Sequence, residues 1–152
     1  MADWVAGDEL SATNLNARRG HTSSAKASVV SQSIPDDTLT LIELDTEDWD
    51  IEGEFDTGTH LFTATKAGYY LAIGSIRWNG DSSAADFWTI IRSGSVNRGT
   101  IEIDRPASGD FVQIASEIIY LGVGWTVGLY GLQKTGGAEP FESASLSIHR
   151  LS

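Results

Sequence analysis

The pattern of apolar and polar residues between Phe55 and Trp78 predicts two β-strands joined by a tight turn. Leu61 to Ala64 is a short, apolar and threonine-rich segment, and Lys66-Ala67-Gly68 supplies the turn. Tyr69 to Trp78 follows, with aromatic side chains at both ends. Aromatic and β-branched residues favour strands, and a run of this length is typical of a strand that crosses a sandwich core.

Similar patterns continue through the rest of the chain after residue 26, with no helix pattern between them. Turn signals rich in glycine, proline, asparagine and aspartate separate the apolar runs. About ten short strands without intervening helices are typical of a sandwich, a jelly roll or a barrel. The predicted strands lie near residues 27–32, 38–45, 48–53, 60–64, 68–78, 86–92, 97–103, 111–121, 124–132 and 143–150.

The first twenty residues differ from the rest, because they carry the one pattern that predicts a helix. Ser11 can cap this helix, two leucines take the staple positions around the cap, and Gly20 can end it. About two turns of helix are unstable alone in water, so this arm must dock on its own domain or on another molecule. The residues predicted to make that attachment are Trp4, Val5, Leu10, Leu15, Arg18 and Arg19.

Small and polar residues from 21 to 26 predict a flexible linker between the arm and the strands. A chain of 152 residues with 41% hydrophobic residues is long enough for one domain with a real core. We therefore expect an attachment arm over residues 1–20, a linker over 21–26 and a single β-domain over 27–152.

Composition excludes several classes of protein. The chain has no cysteine, so neither disulfides nor thiolate metal sites contribute to the fold. A formal net charge of −11 opposes binding to the phosphates of nucleic acid. The sequence shows no secretory signal pattern and no apolar stretch long enough for a membrane helix, so we expect neither export by a signal peptide nor membrane insertion.

The acidic residues concentrate between Asp36 and Asp56, where ten carboxylates occur without a single Lys or Arg. Trp49, Ile51 and Phe55 alternate with these acids, which indicates a strand with one buried and one solvated face. A second interpretation is a Ca²⁺ site, because Ca²⁺ binds six to eight oxygen ligands, although the spacing is not that of an EF-hand. The candidate ligands for such a site are Asp45, Asp48 and Asp50.

Catalytic motifs are absent from the sequence. Its three histidines, His21, His60 and His149, have no cysteine or nucleophile motif beside them. A glycosidase-like pair of carboxylates is an alternative, but the alternation of the acids explains them without catalysis. We therefore expect a protein that is not an enzyme and needs no cofactor.

The five tryptophans divide into two groups. Trp49, Trp78 and Trp88 lie in predicted strands, so we expect them in the core. Trp4 lies outside the β-domain, and Trp125 replaces a polar turn residue at the start of the predicted strand over 124–132. An exposed indole can stack on a sugar ring or anchor an interface, so these two are the candidates for contact with a partner or ligand.

Several motifs occur in the order found in C1q and tumour necrosis factor-like jelly rolls. Near the middle of the chain these are Phe55-Asp56-Thr57-Gly58, Leu61-Phe62-Thr63-Ala64 and Ala67-Gly68-Tyr69-Tyr70-Leu71; towards its end they are Ile118 to Gly124 and Phe141 to Leu146. Residues 27–152 therefore resemble this family. Two positions differ: Trp125 stands where the family usually has an acidic residue, and the glycine that usually follows the final Phe is replaced near Ser143. The resemblance implies an all-β jelly-roll sandwich and a homotrimer packed around a threefold axis.

The arm resembles the opening of many tailed-bacteriophage virion proteins. The shared elements are Trp4, Gly7-Asp8, Ser11-Ala12 and Leu15-Asn16. Such segments begin tail-fibre, head-fibre and related surface proteins, where the start of the chain attaches to the particle. The resemblance implies a location on the virion surface after assembly in the host cytoplasm, with a capsid, fibre or tail protein as partner.

Two functions follow from these expectations. The first is a structural virion protein, a trimeric knob that decorates the capsid or forms a head fibre. The second is a tail-associated module that binds a receptor or a host-surface glycan. The sequence between arm and knob contains no heptads and no collagen-like repeat, so no fibre shaft is predicted, which favours the first function.

Overall fold

A computed structural model describes residues 23–79, 85–104 and 109–151. The predicted arm and its attachment residues lie outside these ranges, as does the start of the predicted linker. The described residues form strands, turns and bends, and they contain no helix that could cross a membrane. The all-β prediction is therefore confirmed for the described part of the chain.

Twelve strands make up the described part. They are β1 (Ser24–Val29), β2 (Gln32–Ile34), β3 (Thr40–Leu41), β4 (Thr46–Asp50), β5 (Phe55–Asp56), β6 (Leu61–Thr63), β7 (Gly68–Trp78), β8 (Asp86–Ser93), β9 (Val96–Asp104), β10 (Phe111–Leu121), β11 (Thr126–Gln133) and β12 (Glu139–Arg150).

The strands form two antiparallel sheets that pack face to face. Sheet A has the order β10-β7-β12-β1-β4, with β2 beside β12, and sheet B has the order β5-β6-β11-β8-β9, with β3 beside β11. Most neighbouring strands are far apart in sequence, so the chain crosses repeatedly between sheets. Such crossing is typical of Greek-key and jelly-roll sandwiches.

The long strand predicted from the Tyr69 to Trp78 pattern is β7, in the interior of sheet A between β10 and β12. Its side chains alternate between the two faces of the sheet. Tyr70, Ile76 and Trp78 point into the core and are fully buried, whereas Tyr69 is 53% exposed on the other face. The core therefore lies between the sheets, and β7 crosses its full width.

One polar side chain in this core is completely paired. Gln113 is fully buried, and its Oε1 atom accepts hydrogen bonds from the Trp78 indole N–H at 2.8 Å and the Thr89 hydroxyl at 2.9 Å. Its Nε2 atom donates to the Phe87 carbonyl at 2.8 Å. A buried tryptophan N–H needs such a partner, so Gln113 permits Trp78 to fill the core.

The acidic segment does not form the strand predicted over residues 48–53. β4 ends at Asp50, because the Asp50 carboxylate accepts backbone N–H groups from Gly53 at 2.9 Å and Phe55 at 2.7 Å. These bonds hold a turn, with Gly53 at a φ of 70°. Ile51 is consequently 54% exposed and Phe55 is buried, so the predicted alternation of one buried and one solvated face was wrong beyond residue 50.

The boundary of the predicted linker also changes. Residues 24–26 belong to β1, which pairs with β12 from Ser24 onward. The Ser24 hydroxyl lies 2.8 Å from Nδ1 of His149, and the buried Ser23 hydroxyl donates to the carboxylate of Glu54. These contacts hold the first described residues of the chain in the sandwich.

Candidate functional site

The outward face of sheet A carries an unusual number of large apolar side chains on β7 and β10. Each of them is between 36% and 58% exposed. They are Tyr69, Ile73, Val112, Ile114, Ile118 and Tyr120, and together they define the β7–β10 face. Scattered exposed apolar residues are ordinary, but a group on one sheet face indicates an interaction surface.

Strand pairing brings the members of this face together. β7 and β10 pair along their whole length, and the register places Tyr69 opposite Tyr120. The two rings meet edge to face, with centroids 5.4 Å apart. β10 is the edge strand of sheet A, so the face reaches the side of the sandwich.

The β7–β10 face ends at β12. The outward residues of β12 are serines at positions 143, 145 and 147. The hydroxyls of Ser75 on β7 and Ser145 on β12 lie 3.0 Å apart. The charged Arg77 on the same side of β7 lies opposite Val112 at the end of the face, where it pairs with Asp110 and Glu142. A partner could cover the rest of the face without desolvating an ion. This arrangement is suited to burial against protein.

A second feature is a groove beside this face, at the end of the molecule where β10 turns into β11. Trp125 borders the groove and is 48% exposed. The groove has a volume of about 430 Å³. One wall is formed by Asn97 and Arg98 of β9, and the other by Glu117 and Tyr120 of β10. The predicted contact residue Trp125 therefore lies at a concave surface, which is where small ligands bind.

The Trp125 indole is held in place by its own turn. The backbone N–H of Trp125 donates to the Gly122 carbonyl at 3.0 Å, and its carbonyl accepts from Ala64 at 2.9 Å. The indole covers Gly122, where a Cβ atom would lie only 3.1 Å from the indole nitrogen. Gly122 thus makes room for the ring, which closes one end of the groove.

The three candidate calcium ligands are not brought together. Asp48 pairs with Lys26 at 3.1 Å, Asp45 accepts a hydrogen bond from the Thr46 hydroxyl, and Asp50 holds the turn after β4. Each carboxylate therefore has a local structural contact. Among the described residues, these three carboxylates do not form a cluster with the spacing of metal ligands, so the calcium site at Asp45, Asp48 and Asp50 stays a prediction without structural support.

A different acidic cluster forms where β8 pairs with β9. Carboxylate oxygens of Asp86, Glu102 and Asp104 all lie within 4.8 Å of one another. Asp86 and Asp104 are directly opposite in register, and a hydrogen bond that the protonated Asp86 carboxyl donates to Asp104 raises the pKa of Asp86. The sequence alone does not predict this cluster, because its members come from two strands and meet only through the register of β8 with β9.

The remaining tryptophans differ in burial. Trp78 is fully buried, as predicted. Trp88 is half-buried on the outward side of sheet B, with the Lys134 ammonium 5.4 Å from its ring centroid, and Trp49 is half-buried beside His149 at 5.2 Å. The prediction of core positions for Trp49 and Trp88 was therefore wrong, because both strands carry these rings on the side away from the other sheet.

Comparisons with known proteins identify the fold. No family model and no curated protein matches the chain. Among solved structures, the globular domain of zebrafish complement 1qA is similar, with a TM-score of 0.68 and 13% identity over 86% of this chain and 98% of that one. The PRD1 vertex protein P5 has a TM-score of 0.63 and 14% identity over 88% and 99% of the two chains.

The Eiger TNF of S. frugiperda is also similar, with a TM-score of 0.55 and 10% identity over 86% of this chain and 93% of that one. All three identities are low, so these likenesses concern the fold. They confirm the architecture that the sequence motifs predicted. The chain has the jelly-roll fold shared by the C1q globular domain and tumour necrosis factor.

Proposed function

We propose that the protein is a structural component of a bacteriophage virion, a homotrimeric jelly-roll knob attached to the particle by residues 1–20. The β7–β10 face is the observation that carries this proposal. Six large apolar side chains on one sheet face are costly to leave in water, and burial against other copies removes that cost. The face would form the contact between neighbouring subunits.

The number of copies follows from the fold resemblance. C1q and tumour necrosis factor-like jelly rolls associate in threes, side by side, and the β7–β10 face lies at the edge of sheet A where a neighbour would pack. Each copy carries a formal charge of −11, so like charge opposes association. An uncharged apolar contact can overcome that repulsion, because its stabilisation does not depend on the net charge.

The place on the virion is supported by two observations. The arm resembles the start of tailed-phage surface proteins, and one solved structure with this fold is the PRD1 vertex protein P5. The absence of a shaft pattern between arm and knob favours direct seating on the shell, as capsid decoration or a head fibre, over a tail fibre. The partner that receives the arm would be a capsid or fibre protein.

Replacing Ile114 by lysine tests the subunit contact. Ile114→Lys places a charge at the centre of the β7–β10 face, so we expect the trimer to dissociate at concentrations where the unmodified protein is trimeric. Light scattering and sedimentation would measure the change. Lysine lowers the negative charge of each copy, so added repulsion could not explain a loss of trimer.

Ile51→Lys is the matched control for this experiment. Ile51 is 54% exposed and Ile114 is 58% exposed, but Ile51 lies in the turn after β4, away from the face. We expect the control to remain trimeric. An unmodified protein that is monomeric, or equal behaviour of the two variants, would contradict the proposed contact.

A second candidate function is binding of a receptor or glycan. The exposed Trp125 beside a groove favours it, because aromatic rings at concave surfaces are common anchors for ligands. This role is compatible with a structural knob, since one protein can both occupy the particle surface and contact the host.

A further inference from the structure

The groove beside Trp125 is lined by a positively charged side chain, Arg98, whose contacts are unusual for this protein. Seven Lys and Arg residues lie in the described part of the chain, and six of them pair with a carboxylate or a backbone carbonyl. Arg98 is the seventh, and among the described residues it has no such partner. Carboxylates greatly outnumber cations in this protein, so an unpaired guanidinium is unexpected.

A β-bulge explains the position of Arg98. The register between β8 and β9 runs Ile91 opposite Gly99 and then Arg92 opposite Asn97, so Arg98 is the extra residue. Bulges interrupt pairing and redirect a side chain, and they are frequent next to functional sites. Here the bulge places Arg98 on the wall of the groove.

The aromatic part of the groove is already ordered. Trp125 is held over Gly122 by the β10–β11 turn, and the Tyr120 ring is held against Tyr69. Rings that are fixed before binding lose little conformational freedom when a ligand arrives. An exposed, fixed indole offers a flat apolar surface, which suits the C–H face of a pyranose ring.

The polar part of the groove supplies hydrogen-bonding groups of both kinds. Asn97 and Glu117 line it together with Arg98, and Gly99 lets β9 approach β10 so closely that a Cβ there would lie 3.3 Å from the Cβ of Glu117. A second groove of about 360 Å³ continues on the other side of Trp125 and Arg98, along the β8–β9 turn. The two spaces together could hold more than one sugar ring.

We propose that this groove binds a saccharide that carries a carboxylate, with the sugar ring on Trp125 and the carboxylate on Arg98. A guanidinium forms paired hydrogen bonds with a carboxylate, and Asn97 and Glu117 would bind hydroxyl groups. The net charge of −11 and the nearby Glu117 oppose highly charged polyanions. A sugar ring with a single carboxylate can pair with Arg98 and is not a highly charged polyanion.

This inference rests on the second candidate function, glycan binding, and names its ligand class, but it does not depend on the structural role, because all the residues concerned lie in one subunit. Ile118 and Tyr120 are shared with the β7–β10 face, but the groove adds a guanidinium, an amide and a carboxylate to them. Such groups are unsuited to an apolar subunit contact, since their burial requires partners. The occupant expected here is therefore a ligand, and a second copy of the chain is a testable alternative.

Titration of the full-length protein with small saccharides tests the inference. Two acidic probes with one carboxylate each, sialyllactose and galacturonic acid, distinguish a sialylated glycan from a uronic acid. Lactose and galactose are their uncharged counterparts. Tryptophan fluorescence and ligand-observed NMR would report binding, and we expect at least one acidic probe to bind about tenfold or more tightly than its neutral counterpart.

Three variants complete the experiment. Arg98→Gln and Trp125→Ala should each weaken binding of the acidic probe by about tenfold or more. Arg77→Gln is the matched control, because it removes the same charge from an exposed arginine outside the groove. Arg77 lies near the C-terminal end of β7 and pairs with Asp110 and Glu142. The control should bind like the unmodified protein, and light scattering should show the same oligomer for all variants.

Each other result would overturn the inference. Failure of both acidic probes to bind, or equal binding of acidic and neutral probes, removes the proposed ligand. Equal loss in Arg98→Gln and Arg77→Gln removes the proposed role of Arg98. Loss of the oligomer in Arg98→Gln would show that a second copy occupies the groove. Failure of Ile114→Lys to dissociate the trimer would instead concern the structural proposal alone.

Discussion

Single residues in this sandwich have roles that depend on a few hydrogen bonds. Gln113 satisfies three core groups, Asp50 ends β4, and Gly122 makes room for the Trp125 ring. None of these residues belongs to a motif that could be recognised in the sequence. Their roles follow from atoms that meet only after the sheets have formed.

Replacing Gln113 by leucine should be costly. Gln113→Leu leaves the Trp78 N–H, the Thr89 hydroxyl and the Phe87 carbonyl without their partner inside the core. An unsatisfied buried group costs roughly 1–3 kcal/mol, so we expect the free energy of unfolding to fall by about 3 kcal/mol. Urea denaturation followed by circular dichroism would measure it.

A second variant isolates the hydrogen-bond contribution. Adding Thr89→Val removes one of the orphaned groups with little change of volume, so the double variant should be more stable than the sum of the single effects predicts. A cost below about 1 kcal/mol for Gln113→Leu would show that the core can relax around the missing amide.

At the scale of elements, the pairing of β8 with β9 sets two features of the molecule. The bulge in this strand pair directs Arg98 into the groove. At the opposite end of the pair, the start of β8 meets the end of β9, which places Asp86 opposite Asp104. The hydrogen bond between these two carboxyls requires a shared proton, and this raises the pKa of Asp86. Like charges that face each other across a strand pair are destabilising, so the loss of this proton weakens the pairing.

The stability of this strand pair should therefore depend on pH. A raised folded pKa means that the folded state binds the proton more tightly, so its stabilisation is complete below the ordinary Asp pKa of 3.8 and is lost as pH rises through the folded value. We expect Asp104→Asn to raise Tm at pH 7, because it removes the repulsion. The gain should disappear below the ordinary Asp pKa of 3.8, where Asp86 with its raised pKa holds its proton and the repulsion is absent.

Calorimetry across this pH range would test the prediction against Glu47→Gln. Glu47 is an exposed carboxylate on β4, so its removal changes the net charge equally without touching the Asp86 pair. The same gain in both variants, at every pH, would assign the effect to net charge alone.

For the whole molecule, the described residues form a complete two-sheet sandwich with its own core. The chain enters this body at Ser23, whose carbonyl accepts a hydrogen bond from the Arg150 N–H at 2.8 Å and whose hydroxyl donates to Glu54. These contacts fix the point from which residues 1–22 extend. An attachment segment that begins there could be removed without disturbing the described core.

Deletion of residues 1–20 should accordingly separate assembly from attachment. We expect the shortened protein to fold and to form the same oligomer, because every described core residue remains. We also expect it to be missing from purified particles, as measured by mass spectrometry and antibody labelling of virions. Incorporation at the level of the full-length protein would contradict the role of the arm.

Much of the fold could be predicted from the sequence. The region from β7 to β12 was placed well because local alternation and turn residues determine strands without reference to distant partners. The acidic segment was placed poorly, since the side chain of Asp50 ends its strand through bonds that no periodicity reveals. The role of Trp125 as a contact residue stays a prediction, made because its indole replaces a polar turn residue, and the structure places it beside a groove.

By itself, therefore, the sequence determined that residues 27–152 form an all-β jelly roll, because strand patterns, turn residues and motif order are local properties. Only the tertiary structure decided which apolar residues share the exposed β7–β10 face and which acids meet at Asp86. It also decided that a bulge leaves Arg98 unpaired beside Trp125. These features depend on the pairing and register of strands far apart in the chain, which only the folded molecule specifies.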